Sequence, residues 1–206
     1  MIDDPATARL WPLLGQLENF ERSRPDRRVW DLATTRALLQ SVIPARAVAP
    51  AVQVGGSKGK GTTCAFLAAF AQRAGKRPGV YVSPHVATLL ERIQIDGVSI
   101  TVERLEVLLQ AVLQRAAALR LTATFFEAMT VAAVEAFAEA AVDLAVYEVG
   151  LGGRYDATTA IPVAASIVTG IELEHTQLLG DTTAAIAGEK AFVIRPGGLA
   201  FTAARG

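Results

Sequence analysis

Short apolar runs alternate along the chain with longer segments in which apolar residues recur every three or four positions. Ala51-Val-Gln-Val54, Gly79-Val-Tyr-Val82, Leu144-Ala-Val-Tyr147 and Ala165-Ser-Ile-Val-Thr169 are short, apolar and bounded by glycine, proline or charge. They read as four buried strands. Residues 62–74, 101–119, 124–140 and 181–190 carry helical spacing. Gly75 ends the first of these, and Thr101 stands where a hydroxyl would cap the second. The 124–140 segment is apolar on most sides, as expected of a helix lying against a sheet. Residues 7–43 also read as helical, in two pieces broken around Ser23-Arg-Pro-Asp-Arg27. Arg92-Ile-Gln-Ile-Asp-Gly-Val-Ser-Ile100 alternates about Asp96-Gly97, the pattern of a tight hairpin, and Pro196-Gly-Gly198 marks a later turn. Strand, helix, strand, helix, strand predicts an α/β fold with a doubly wound, mainly parallel sheet. In such sheets ligands sit beyond the C-terminal strand ends. The unusual motifs of this chain, at Gly56, Ser83, Glu148 and His175, all fall there.

A length of 206 residues suits one sizeable domain, or one domain and part of another. The composition is 51% hydrophobic, rich in alanine and valine, as a buried parallel sheet requires. Twenty basic and twenty acidic residues cancel, so no basic field attracts nucleic acid or anionic lipid, and any anion must be held locally. Cys64 is the one cysteine; it excludes an internal disulfide, suits a reducing cytosol and reads as a small apolar residue on the inner face of the first helix. The N-terminus lacks the basic start and apolar core of a signal peptide. The apolar stretch 125–149 is interrupted by Glu127, Glu135, Glu139 and Asp143, which argues against a membrane span. A cytoplasmic protein that contacts neither membrane nor nucleic acid is expected.

Gly56-Ser-Lys-Gly-Lys-Gly-Thr-Thr63 joins the first strand to the first helix. A glycine-rich turn there points unpaired backbone N–H groups into one concavity, and the helix N-terminus adds partial positive charge. Gly56, Ser57, Lys58, Gly59, Lys60, Gly61, Thr62 and Thr63 therefore form a phosphate cradle for ATP or a relative. In it Lys60 reaches the outer phosphates and the Thr62 hydroxyl ligates Mg2+. The usual Gly-x4-Gly-Lys-Ser/Thr loop would need glycine at Val54 and a hydroxyl at Gly61; the loop here is the shorter Gly-x-x-Gly-Lys-Gly-Thr. A glycine-rich turn alone is common, and it is the lysine, hydroxyls and strand-to-helix context that specify a nucleotide.

At the other strand ends the residues admit two readings each. Glu148 is placed to hold magnesium or is a solvated strand end. Ser83, before a proline, adds a hard oxygen or simply turns the chain. His175, in Glu174-His175-Thr176, is a ligand, a substrate contact or a structural loop histidine. Lys190, after Glu189, reads from its surroundings as an exposed lysine with an acidic neighbour. Lys60 and Glu148 are expected to face one another across a magnesium triphosphate.

Several motifs in order resemble the folylpolyglutamate synthase and dihydrofolate synthase family, within the Mur ligase superfamily. They are 56–64, Tyr81-Val-Ser-Pro-His85, Glu91-Arg-Ile-Gln-Ile95, Thr124-Phe-Phe-Glu127, 148–158, Glu174-His-Thr176, Leu179-Gly-Asp181 and Glu189-Lys-Ala191. The resemblance implies a Mur ligase central-domain fold and an ATP-dependent ligase joining L-glutamate to a pteroate or folate carboxylate through an acyl phosphate. It implies Lys60 and the loop amides on the β- and γ-phosphates, and Thr62, Ser83 and Glu148 around a first Mg2+. It implies His175 and Lys190 at a second, Lys190 as a carbamate. Lys60, His175 and Lys190 are thus the catalytic candidates, and Ser83, His85, Phe126 and Arg154 the substrate-side ones.

The chain departs from the family at Lys58, usually asparagine, at Thr159, usually asparagine, and at Gly170-Ile-Glu-Leu-Glu-His175, usually Asn-Ile-Gly-Leu-Asp-His. Family members also continue further. Residues 1–206 are expected to be a truncated ATP-binding domain, with a helical segment 7–43, a phosphate-loop core 50–206 and no C-terminal ligase domain. A second polypeptide supplying that part is one expectation. A nucleotide-binding module without turnover and another P-loop phosphotransferase are the alternatives.

Overall fold

The computed structural model describes residues 5–21, 31–43 and 49–203. Seven strands form one sheet: β1 (Ala51–Gly55), β2 (Pro78–Tyr81), β3 (Ile93–Ile95), β4 (Val98–Ser99), β5 (Leu144–Glu148), β6 (Ala165–Val168) and β7 (Leu199–Thr202). Their order is β4-β3-β2-β5-β1-β6-β7. β2, β5, β1, β6 and β7 run parallel, and β3 and β4 form an antiparallel hairpin at one edge. Asp96 and Gly97 turn that hairpin with φ of 53° and 80°, the left-handed geometry that favours this pair of residues. The doubly wound, mainly parallel sheet is the one the sequence predicts.

Among the described residues seven α-helices flank it: α1 (Trp11–Leu14), α2 (Ala33–Gln40), α3 (Lys60–Arg73), α4 (Val102–Ala118), α5 (Phe125–Glu139), α6 (Thr176–Leu179) and α7 (Thr183–Lys190). α5 is almost wholly buried, and with α4, α2 and one sheet face it forms the main core around Met129, Val131, Leu105 and Tyr81. The other face is thinner: Val54, Val80 and Val146 pack on α3 through Cys64, which is buried as expected. Thr101 and Thr124 cap α4 and α5, each hydroxyl accepting the N–H three residues on, and Glu127 completes a capping box.

Two expectations need correcting. Residues 15–21 are not helical: α1 ends at Leu14, and Glu18 then bridges to Thr124, its carbonyl accepting the Phe125 N–H at 2.8 Å. That bond satisfies an amide α5 leaves orphaned at its first residue. The break at 23–27 lies outside the described residues. α3 begins at Lys60 rather than Thr62, because Gly59 in the left-handed region (φ 82°) is its N-cap. The sequence reading does not include β7, which follows the Pro196–Gly198 turn; its four residues carry no alternation and become a strand by pairing with β6.

Candidate active site at the strand ends

Register aligns the functional ends. Val54 of β1 pairs with Glu148 of β5, Tyr81 of β2 with Tyr147, and Gly55 with Val168 of β6. The chain beyond each strand therefore emerges on one rim. Gly56 leaves β1 with φ of 130°, and a side chain there would collide with Thr169 beyond β6. The Gly59 carbonyl accepts both the Thr63 N–H (2.9 Å) and the Thr63 hydroxyl (2.8 Å), fixing the first turn of α3. The amides of Lys60, Gly61 and Thr62 are then first-turn donors with no intrahelical acceptor, the kind of helix start that suits an anion. Lys60 Nζ folds back to 3.5 Å from the Ser57 carbonyl.

Glu148 closes β5 beside this turn. One oxygen accepts the Ser83 N–H at 3.2 Å and lies 3.5 Å from where a Cβ on Gly61 would stand. Burial raises the Glu148 pKa, opposed by the Ser83 amide and the charge of Lys60. Ser83 Oγ is buried with no hydrogen-bond partner among the described residues. An orphaned hydroxyl on the residue whose amide binds this carboxylate, itself beside α3, fits a hard cation, which takes oxygen ligands. Thr62 lies exposed on the first turn of α3. Ser83, Glu148 and the phosphate loop are thus brought together, and Lys60 is near enough to act on Glu148.

On the opposite flank the loop after β6 clasps the phosphate loop. Ser57 N–H donates to the Gly170 carbonyl (2.8 Å), and its hydroxyl accepts the Glu172 N–H (3.0 Å) and donates to the Glu172 carbonyl (3.2 Å). Lys190, which the sequence reads as exposed, is instead buried. It reaches from the end of α7 to the Gly56 carbonyl (2.9 Å) and to Glu174 (2.8 Å). Burial lowers the Lys190 pKa against the pull of Glu174. Burial also acts to raise Glu174, but the Lys190 bond and charge hold it below its ordinary value. His175 is exposed in the left-handed region (φ 45°), capping α6, and it is Glu174, one residue earlier, that meets Lys190. No group of three or more His, Cys, Asp or Glu side chains suited to a metal occurs among the described residues.

The substrate-side candidates divide. Phe126 stacks tilted on Tyr81 at 5.8 Å, and it and Ser83 Oγ both border Gly150. His85 accepts the Arg92 Nε–H on Nδ1 at 2.8 Å; burial and that guanidinium lower its pKa, leaving a neutral imidazole. Arg92 is itself fully buried, held bidentately by Glu21 (2.9 and 2.7 Å) over the Phe125 ring. Arg154 turns toward α7, pairing with Glu189 at 3.0 Å and lying 3.8 Å from the Phe192 ring centroid.

Sequence reasoning missed the polar network beneath the rim. Asp156, buried, accepts the N–H groups of Gly150 (2.8 Å), Leu151 (3.0 Å) and Thr158 (3.0 Å) and the Thr158 hydroxyl, so it pins the turn after Glu148. Gln53 donates to the hydroxyls of Thr158 (2.9 Å) and Thr159 (2.8 Å). One signal was available: glutamine in the middle of an apolar strand requires partners.

No protein-family model matches the chain. The dihydrofolate synthase/folylpolyglutamate synthase of Bacillus subtilis is 39% identical over 152 residues, 71% of this chain and 35% of that protein. A structure of E. coli FolC in complex with DHPP and ADP superposes with a TM-score of 0.80 at 30% identity, covering 97% of this chain and 47% of that one. A bifunctional folylpolyglutamate synthase/dihydrofolate synthase with Mn, AMPPNP and L-glutamate bound gives 0.78 at 34% identity, covering 86% and 43%. The chain belongs to the folylpolyglutamate synthase/dihydrofolate synthase family. It spans about a third of the Bacillus protein and under half of each superposed chain. Among the described residues no helix is long and apolar enough to cross a membrane.

Proposed function

We propose that this chain is the ATP-binding domain of an ATP-dependent amide ligase that adds L-glutamate to a pteroate or folate carboxylate through an acyl phosphate. The observation that carries the proposal is the meeting of the phosphate loop, Glu148 and the unpartnered Ser83 hydroxyl at one sheet rim. The superposed relatives, with ADP or AMPPNP bound, support it.

The acid attacks the γ-phosphoryl group and ADP leaves; the glutamate amine then attacks the acyl carbon and phosphate leaves. Charge builds on the phosphoryl oxygens during the first transfer, and catalysis there is mainly positioning and electrostatic. The first-turn amides of α3 and Lys60 would supply that stabilisation. Thr62, Ser83 and Glu148 would hold Mg2+, which when bound neutralises phosphate charge. Phe126 and the neutral His85 would border the acid. Lys190 and Glu174 brace the loop through Gly56, a role that does not require the carbamate; His175 stays free at the rim for a phosphate or metal contact.

The exposed β7 strand, with Leu199 and Phe201 uncovered, favours a second reading in which this chain alone binds nucleotide and turns over only when a second polypeptide or domain closes the site. The test is incubation with ATP, Mg2+, glutamate and either pteroate or folate, followed by mass spectrometry for the amide. Nucleotide titration of Lys60→Ala runs in parallel. Amide formed by the chain alone supports the ligase. ATP binding without amide supports the second reading, and unchanged ATP affinity in Lys60→Ala overturns both.

A further inference from the structure

Two of the positions that depart from the family, Lys58 and Glu172, are far apart in sequence and touch in space. Lys58 Nζ lies 2.6 Å from a Glu172 carboxylate oxygen. The contact is not a chance meeting of long side chains, because the backbone beneath is paired: Lys58 bridges antiparallel to Gly170, and Ser57 is tied to Gly170 and Glu172 by three hydrogen bonds. Both side chains are exposed, 76% and 52%, so neither charge is sealed from water and the pair is free to exchange partners. Lys58 sits two residues before Lys60, on the lip of the cradle.

We propose that Lys58 and Glu172 form an exchangeable latch on the phosphate loop. Without nucleotide, Lys58 neutralises Glu172. With ATP, Lys58 swings to the terminal phosphate, leaving Glu172 as an anion on the rim. The inference rests on the nucleotide-binding reading above and adds its regulation: Glu172 competes with the triphosphate for one lysine and so weakens ATP binding. The competition favours ligands of higher phosphate charge, because a single carboxylate holds an exposed lysine only weakly.

The test measures ATP and ADP affinities by calorimetry, with Mg2+, for the wild type, Glu172→Gln, Lys58→Gln, the double variant and Lys60→Ala. Removing one exposed, screened charge contact shifts affinity about two- to fivefold. Glu172→Gln should tighten ATP by that factor and ADP by less, with the gain shrinking as salt rises. Lys58→Gln should weaken ATP by a similar factor. In the Lys58→Gln background, Glu172→Gln should recover only the part due to repulsion, less than in the wild type. Equal effects on ATP and ADP, or no tightening by Glu172→Gln, would show the pair to be a loop staple and overturn the latch. Loss of nucleotide binding in Lys60→Ala in the same series keeps that failure separate from failure of the nucleotide site. Both positions are exposed, so thermal midpoints within the wild-type range exclude misfolding as the cause.

Discussion

Lys190→Met removes an ammonium buried to 3% side-chain exposure while keeping the length of the side chain. Two partners lose it. The Gly56 carbonyl, at 2.9 Å, is left without that donor, which costs about 1–3 kcal/mol. Breaking a sealed ion pair costs about 3–5 kcal/mol, but Glu174 keeps 26% exposure and hydrates in part. The variant no longer bears the desolvation of a buried ammonium, which offsets some of both. A net loss of about 2 kcal/mol is expected, read as a lower urea midpoint at unchanged slope. Glu174→Gln added to Lys190→Met should recover part of it, since a neutral amide needs no cation. Removing dissolved CO2 should leave the wild-type midpoint unchanged in the absence of nucleotide, because the lysine contacts a carbonyl and a carboxylate and a carbamate there would face two acceptors. A loss under about 0.5 kcal/mol, or no recovery in the double variant, would refute the strut and return Lys190 to a purely catalytic role.

Two further outcomes test the rim. Asp156→Asn retains one acceptor oxygen where the carboxylate receives four donors, so either the part-buried amides of Gly150 and Leu151 or the buried Thr158 donors go unpaired; a loss of about 2–4 kcal/mol is expected in chemical unfolding, and a neutral result would mean the turn is held by other contacts. Glu91 accepts the backbone N–H groups of Val86, Ala87 and Thr88; burial acts to raise its pKa, but those bonds hold it below the ordinary 4.5. A depressed carboxylate adds stability that is full above 4.5 and lost as pH falls through the folded-state value. Glu91→Gln should therefore be less stable at neutral pH and flatten the acid limb of the stability profile, and an acid limb identical to the wild type would exclude this carboxylate as its source.

Local chemistry written in the chain settled most of the fold. Alternating short apolar runs and helical stretches fixed a parallel α/β sheet, Asp96-Gly97 fixed the hairpin, and Thr101 and Thr124 fixed two helix starts, because each depends on neighbours within a few residues. The glycine-rich turn from β1 into α3 was legible for the same reason: its glycines act through the backbone positions they occupy themselves. What depends on distant partners was not legible. β7 is a strand only because β6 offers an edge. Residues 15–21 leave the helix to satisfy an amide of α5. Lys190 reads as a surface lysine until the fold carries it beneath Gly56, and Lys58 and Glu172 read as two unrelated changes until the loops beyond β1 and β6 pair. Sequence carries propensity and local geometry, whereas burial and charge pairing across more than a hundred residues exist only once the sheet has ordered its strands.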